Sequence, residues 1–303
     1  MVRLQGELKG RFDRDGYVVV PGLLGGDEVE RFGAAVDAAV AVRTEGDERT
    51  LAEKTRYEQS FQQCINLWED CPEVRPLTFH PAIAAAAAEL LGVDSVRLWH
   101  DQALYKEACG RRTDPHQDHP YWPITEVATI TAWVPLMDVP ESSGAMGYVP
   151  GSHRFGVRQF ADIFKGEGFD LAEGPEAQGV PPVFVPVRAG DVAFHHGLTI
   201  HLAGANDSAA TRRAHTAIFF ADGSTRAERP RRHPSVDRAS IRVGAPIDSP
   251  FTPVAHPRPD GDLPPAPPLP EPRLRGWPGW TWADDPAPPP PVRSDDRGPT
   301  TTG

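Results

Sequence analysis

Positive charge is in short supply in this chain. Across 303 residues, 31 Lys and Arg face 42 Asp and Glu, for a formal net charge of −11. An acidic balance argues against a nucleic-acid backbone or an anionic membrane as the main partner. Cysteine is scarce too. Cys64, Cys71 and Cys109 are an odd number at spacings that fit no zinc motif, so a disulfide framework is not expected. Free thiols in a reducing cytoplasm are expected instead. Long apolar runs are missing: nothing reaches the roughly 18 residues of a membrane span, and the Ala-rich run at 82–91 is too short. The N-terminal "MVRLQGELKGRFDRDGY" has no apolar stretch of the signal-peptide kind. No internal repeat is visible, and nothing specifies an oligomeric state.

Proline, by contrast, is plentiful, with 34 residues. From 257 onward "RPDGDLPPAPPLPEP" and "DDPAPPPPVRSDDRGPTTTG" form a low-complexity tail, residues 257–303, that cannot bury enough apolar surface to fold alone. Trp277, Trp280 and Trp282 are unusual in such a tail and suggest docking on the domain or on a partner. Residues 1–256 are read as one domain. Tyr17–Val20 is a short β-rich run stopped by Pro21 and Gly22. Asp27 is a plausible N-cap for an amphipathic helix carrying Val29, Phe32, Val36 and Val40. "HPAIAAAAAELLG" is a second helix, with Pro81 near its start and Gly92 at its end. Residues 44–80 carry no clear period. Between about 96 and 222 the texture is β-rich, in segments broken by Gly, Pro, Asp and Ser. A helical start followed by many strands predicts a mostly β fold with flanking helices, a sandwich or jelly roll.

Two clusters carry candidate chemistry. In "DPHQDHPYWPI", His116 and Asp118 stand two apart, and on an extended strand i and i+2 share a face. An imidazole and a carboxylate there can meet one cation, or the segment is only a polar turn. His119 is either an alternative ligand or a surface residue. The second cluster, "GDVAFHHGLTIHLAGAN", holds His195, His196 and His201. Two His and one carboxylate on one face suit Fe(II) and leave positions open for further ligands. His201 is the preferred partner because Arg212 follows eleven residues later, where the chain re-enters a strand and a guanidinium could grip a carboxylate. The bland alternative for Arg212 and Arg213 is a solvated pair at a strand start. Leu98, His100, Gln102 and Leu104 alternate onto one strand face, which offers Gln102 to a pocket or to a cross-strand hydrogen bond. Tyr121 and Trp122 read as wall residues, core or substrate-facing. "YVPGSHRFG" puts His153 on a turn, structural or lying over a cavity against substrate.

Taken in order, "DRDGYVVVPGLL", "HQDHPYWPI", "TAWVPLMD", "SGAMGYVPGSHRFG" and "GDVAFHHGLTIHLAGAN" with "RRA" resemble the phytanoyl-CoA dioxygenase family of Fe(II)/2-oxoglutarate-dependent oxygenases, over roughly residues 10–225. The resemblance implies a double-stranded β-helix (cupin-like jelly roll) core over about 96–222. It implies Fe(II) held by His116, Asp118 and His201, 2-oxoglutarate held by Arg212 with Gln102 and Trp133 lining its pocket, and O2 as oxidant. The implied reaction is hydroxylation of an unactivated C–H of a small organic substrate, of the secondary-metabolite type, with release of succinate and CO2. Ala203 stands where some relatives carry a hydroxyl that could touch 2-oxoglutarate. A carboxylate at Asp118 argues against halogenation, which uses a small residue there. The alternatives are an acyl-CoA hydroxylase of the same chemistry, a non-catalytic β-barrel that binds a ligand, and a zinc hydrolase in which Arg212 has no evident role.

Overall fold

The computed structural model describes residue 4 and residues 6–158, 160–169, 171, 180–228, 233–258 and 260–268. Gly6–Asp15 (α1) leads into Tyr17–Val20 (β1), and Gly26–Arg43 (α2) follows. Next come Gln62–Ile65 (β2), the single turns Leu67–Asp70 (α3) and Arg75–Thr78 (α4), and Pro81–Leu91 (α5). The β-rich region supplies Val96–Lys106 (β3), Thr113–His116 (β4), Thr129–Pro135 (β5), Met146–Tyr148 (β6), Val183–Val185 (β7), Val192–His196 (β8), His201–Ala203 (β9) and Arg212–Ala221 (β10). Pro234–Asp237 (α6) and Val254–His256 (β11) complete the described elements.

These strands form two antiparallel sheets. The larger runs β1-β8-β5-β10-β3-β11, with β2 paired to the far half of β3; the smaller runs β4-β9-β6-β7. The result is the jelly roll with flanking helices that the sequence predicts. Alternation decides what each face of the large sheet meets. Ile130, Ala132 and Val134 of β5 and Val192 and Phe194 of β8 join α2 and α5 in an outer core. Their neighbours Thr131, Trp133 and His195 line a cavity between the sheets. Burying each large aliphatic or Phe side chain in the outer core contributes about 1.5–3 kcal/mol, which fixes this parity and so aims the inward set.

Helix α5 starts at Pro81 and stops at Gly92, whose φ of +71° ends it as expected. Helix α2 begins one residue before the expected cap. Gly25 is its N-cap, because Glu28 reaches back to accept the Gly25 N–H at 3.0 Å. The expected face of β3 needs correction. Leu98 lies in the outer core, whereas His100, Gln102 and Leu104 line the cavity. Phe219 pairs with Leu98 and Ile218 with His100, so Trp99 is an extra residue in the ladder. That bulge reverses the facing of everything before it.

The Pro-rich segment set apart from 257 is described to 268. Arg258 donates to the Phe79 carbonyl, and Arg238 Nη2 donates to the Pro268 carbonyl at 3.0 Å. Trp277, Trp280 and Trp282 lie outside the described residues. Among those described, no helix is long and apolar enough to cross a membrane.

Candidate metal centre

His116 ends β4 and His201 opens β9, and the two pair directly across the small sheet with ring centroids 4.2 Å apart. Asp118 is not on an extended strand. Its backbone is right-handed helical (φ −75°, ψ −46°) and opens the 3-10 turn His119–Tyr121. A turn, not strand alternation, therefore returns the carboxylate to the two imidazoles. Gln117, between the two, is 1% exposed. Its amide donates to the carbonyls of Leu198 (2.6 Å) and Gly156 (3.0 Å), and its Oε1 accepts the Arg158 N–H at 2.9 Å. It ties the His116–Asp118 turn to the loop that precedes His201.

Asp118 Oδ1 lies 3.7 Å from His116 Nε2 and 3.5 Å from His201 Nε2. One donor atom from each residue lies within 4.8 Å of the others. Bonds of about 2.0–2.2 Å from one divalent ion would span donor pairs roughly 3–3.5 Å apart, so the three fit a common cation with a small contraction. The tautomers agree. His116 Nδ1 faces the Asp114 carbonyl at 2.9 Å and His201 Nδ1 faces the Thr199 carbonyl at 3.0 Å. A carbonyl only accepts, so each Nδ1 holds the proton and each Nε2 keeps its lone pair for a metal. Burial lowers both imidazoles to a pKa of about 4, which keeps them neutral at physiological pH. Burial alone would raise the Asp118 carboxyl. His201, the hydrogen bond from His195 and the field of His116 outweigh it and hold the group ionised, well below its usual range.

The other oxygen, Asp118 Oδ2, accepts from Thr131 Oγ1 at 2.8 Å and from His195 Nε2 at 3.1 Å. Thr131 and His195 are direct cross-strand neighbours on β5 and β8. The large sheet thus clamps one carboxylate oxygen and presents the other to the histidines of the small sheet. Sequence reading singled out His195 only as one histidine of a cluster. Period-2 alternation on "VAFHH" was the available signal, since it turns Ala193 and His195 inward and His196 outward. His196 Nδ1 accepts the Leu198 N–H at 3.0 Å instead. His119 is buried with Nδ1 3.4 Å from Thr129 Oγ1 and stands outside the donor group.

The cavity beside this face lies between the two sheets and opens to solvent. Gln102, Trp133, Tyr121, Trp122 and Arg212 all line it. Arg212 is 2% exposed, and burial lowers its pKa to about 10. Its guanidinium lies 5.4 Å from the Trp133 ring centroid and makes only long contacts to the carbonyls of Gly144 (3.3 Å) and Leu104 (3.4 Å). Among the described residues no carboxylate pairs with it. Arg212 Nε, Trp133 Nε1, Thr216 Oγ1 and Thr113 Oγ1 are buried cavity-lining polar atoms without a partner. A cluster of orphaned donors around an unpaired cation is the environment an anionic ligand would complete. Thr113 pairs across the sheet with Ala203, so a hydroxyl stands opposite the position where one was missing. Gln102 Oε1 accepts from the Gln63 amide, and Gln63 in turn accepts from the Tyr57 hydroxyl at 2.8 Å. His153 is not on the cavity wall; its Nε2 faces the Asp13 carbonyl at 3.2 Å and its ring packs near His196.

Comparison with known proteins points the same way. The family model for phytanoyl-CoA dioxygenase matches residues 12–214. Phytanoyl-CoA dioxygenase domain-containing protein 1 of Danio rerio is 29% identical over 153 residues, covering 48% of this chain and 52% of the relative. The match therefore spans about half the length of that curated relative. Among solved structures, the alpha ketoglutarate-dependent carbocyclase SnoK from nogalamycin biosynthesis is 32% identical with a TM-score of 0.70, covering 83% of this chain and 96% of SnoK. The epimerase SnoN, solved with Fe3+, alpha ketoglutarate and nogalamycin RO, is 30% identical with a TM-score of 0.65, covering 83% of this chain and 98% of SnoN.

Proposed function

This chain belongs to the phytanoyl-CoA dioxygenase family, and we propose that it is an Fe(II)/2-oxoglutarate-dependent oxygenase acting on a C–H bond of a small organic molecule. The observation that carries the reading is the joint presence, in one cavity, of a three-donor metal face and a buried guanidinium that lacks a counter-charge. A zinc hydrolase needs the first and has no use for the second. A passive ligand-binding barrel has no use for neutral imidazoles with both Nε2 lone pairs turned to one carboxylate oxygen.

His116, Asp118 and His201 would hold the iron. Iron bound there would supply the oxidising chemistry, by which one atom of O2 would enter the substrate and the other succinate, with CO2 lost from 2-oxoglutarate. The chain's own residues do the positioning. Thr131 and His195 hold Asp118 Oδ2 and so limit the carboxylate to one donor oxygen, which leaves the remaining metal positions for other ligands. Arg212 binds the far carboxylate of 2-oxoglutarate, with Trp133, Thr216 and Thr113 as hydrogen-bond donors around it. Gln102 orients its amide along the same wall. Tyr121 and Trp122 exclude water on the substrate side.

Hydroxylation is the default outcome. Ring closure or epimerisation is the second reading, favoured by the likeness to a carbocyclase and an epimerase. The test is anaerobic titration of metal-free protein with Fe(II) and then 2-oxoglutarate, followed by absorbance for metal-to-ligand charge transfer, and then admission of O2 with succinate measured. A charge-transfer band and succinate release are expected. Absence of 2-oxoglutarate binding in the iron-loaded protein would sink the proposal.

A further inference from the structure

The substrate side of the cavity has a chemistry of its own. Apart from Asp118 at the metal face and Arg212, no Lys, Arg, Asp or Glu lines the cavity among the described residues. Rings make much of the wall. Tyr57 packs against Phe61 (centroids 5.0 Å) and Phe164 (4.4 Å), and Phe164 lies 6.0 Å from Tyr121. Tyr121 stands edge-on to the metal-face imidazole of His116 at 6.0 Å and 89°, so the aromatic wall reaches the reacting position. Trp122 meets His100 edge-on at 6.4 Å and 84°.

Polar groups on this wall are uncharged. Burial lowers His100 to a pKa of about 4, and its Nδ1 faces the Asp101 carbonyl at 3.3 Å, which leaves Nε2 as a neutral acceptor. Placing an anion or a zwitterion among such groups would strip its hydration without a counter-charge. Among the described residues, Arg56, Arg111 and Arg112 converge on Asp114 at 3.7, 3.7 and 3.5 Å. Stiff ring side chains also favour flat partners, because stacked and edge-to-face ring pairs attract beyond the area they bury.

We propose that the substrate is a neutral, rigid molecule with a flat fused-ring face bearing hydroxyl or carbonyl oxygens, held against Tyr57, Phe164, Tyr121 and Trp122. Acyl-CoA, phosphorylated and amino-acid substrates are thereby disfavoured. The proposal rests on the oxygenase reading for the reaction, but the wall is testable apart from it. The probes are 1,8-dihydroxyanthraquinone and palmitoyl-CoA. Each is titrated by tryptophan fluorescence into metal-free protein and into protein holding Fe(II) and 2-oxoglutarate without O2, where the charge-transfer band is a second readout. The quinone is expected to bind at micromolar concentration in both forms and to shift the band. Palmitoyl-CoA is expected neither to bind nor to displace it. Phe164→Ala should weaken quinone binding at least about tenfold while leaving metal and 2-oxoglutarate affinity unchanged. Competition by palmitoyl-CoA, no quinone binding in either form, or full quinone affinity in Phe164→Ala would each overturn the proposal. Quinone binding without any uptake of 2-oxoglutarate would uphold the wall and remove the oxygenase reading instead.

Discussion

Replacing His195 by Ala should weaken metal binding without removing a ligand. His195 Nε2 donates to Asp118 Oδ2 at 3.1 Å, beside the 2.8 Å bond from Thr131, and neither side chain belongs to the three-donor group. A hydrogen bond to an ionised group is worth about 1.5–3 kcal/mol. Loss of an outer partner of a metal ligand typically costs ~10–100-fold in affinity, or about 1.4–2.8 kcal/mol, so the two routes to the magnitude agree. His195→Gln keeps an amide donor and should recover part of the loss. Thr131→Val should cost a similar amount alone. The double variant should cost more than the sum, because either donor can restrain the carboxylate until both are gone. The assay is competition for Co(II) or Fe(II) against a chromophoric chelator, with thermal unfolding as the control for fold. Wild-type affinity in His195→Ala would refute the clamp. A loss as complete as that of His116→Ala would show that His195 is itself a ligand.

Arg212→Met should raise the Kd for 2-oxoglutarate by the equivalent of about 2–5 kcal/mol and leave metal affinity intact, read by calorimetry on the metal-loaded protein. The same variant should melt no lower than the wild type without 2-oxoglutarate, since it removes a buried cation that has no partner carboxylate. Gln117→Ala should destabilise the fold by about 2–4 kcal/mol in denaturant titration, because it removes the partner of the buried Leu198 carbonyl and of the half-buried Gly156 carbonyl and Arg158 N–H; a neutral result would mean water replaces the amide. Asp101 is fully buried, and burial raises its pKa to about 7 from an ordinary 3.8. The folded state then keeps a proton that the unfolded chain has released, so stability should fall as pH rises from about 4 to about 7. Asp101→Asn should flatten that slope, and an unchanged slope would assign it to other groups. Gly16→Ala should destabilise by more than the ~1–2 kcal/mol of a left-handed residue: φ is +81°, and an added Cβ would lie 2.4 Å from His153 Nδ1 and 2.5 Å from Thr199 Oγ1. A melting temperature within a degree of wild type would show that the turn relaxes freely.

The legible parts of the sequence were those with a local period. Alternating Thr, Trp and aliphatic residues in "ATITAWVPLMD" specify both the strand and its inward face, because burial of one parity fixes the other. His116, Asp118, His201 and Arg212 were legible as a set by residue type and order. Their approach in space was not, since it depends on a turn at Asp118 and on pairing of β4 with β9 across the 84 residues between His116 and His201. The cavity wall was the least legible part. Tyr57, Phe61 and Gln63 come from the stretch without a period, where β2 is held by the edge of β3 and not by any pattern of its own. The Trp99 bulge is a further case. Leu98, His100, Gln102 and Leu104 alternate without fault in the sequence, and only the opposing ladder of β10 inserts the extra residue.

His153 shows how a motif can matter without touching the ligand. Its neighbour Ser152 accepts the Ile200 N–H at 2.8 Å, one residue before His201. His153 and Thr199 both pack where Gly16 has no Cβ, and Thr199 Oγ1 donates to the Gly16 carbonyl at 2.7 Å. The Thr199 carbonyl in turn accepts the His201 Nδ1 proton at 3.0 Å. The "DGY" turn after α1 and the "PGSH" turn therefore brace the loop that sets the tautomer and direction of His201. Two motifs that sequence could read as surface turns are joined to the metal face through one threonine. A substitution in either should register first as lost order at His201, before any effect on the cavity wall.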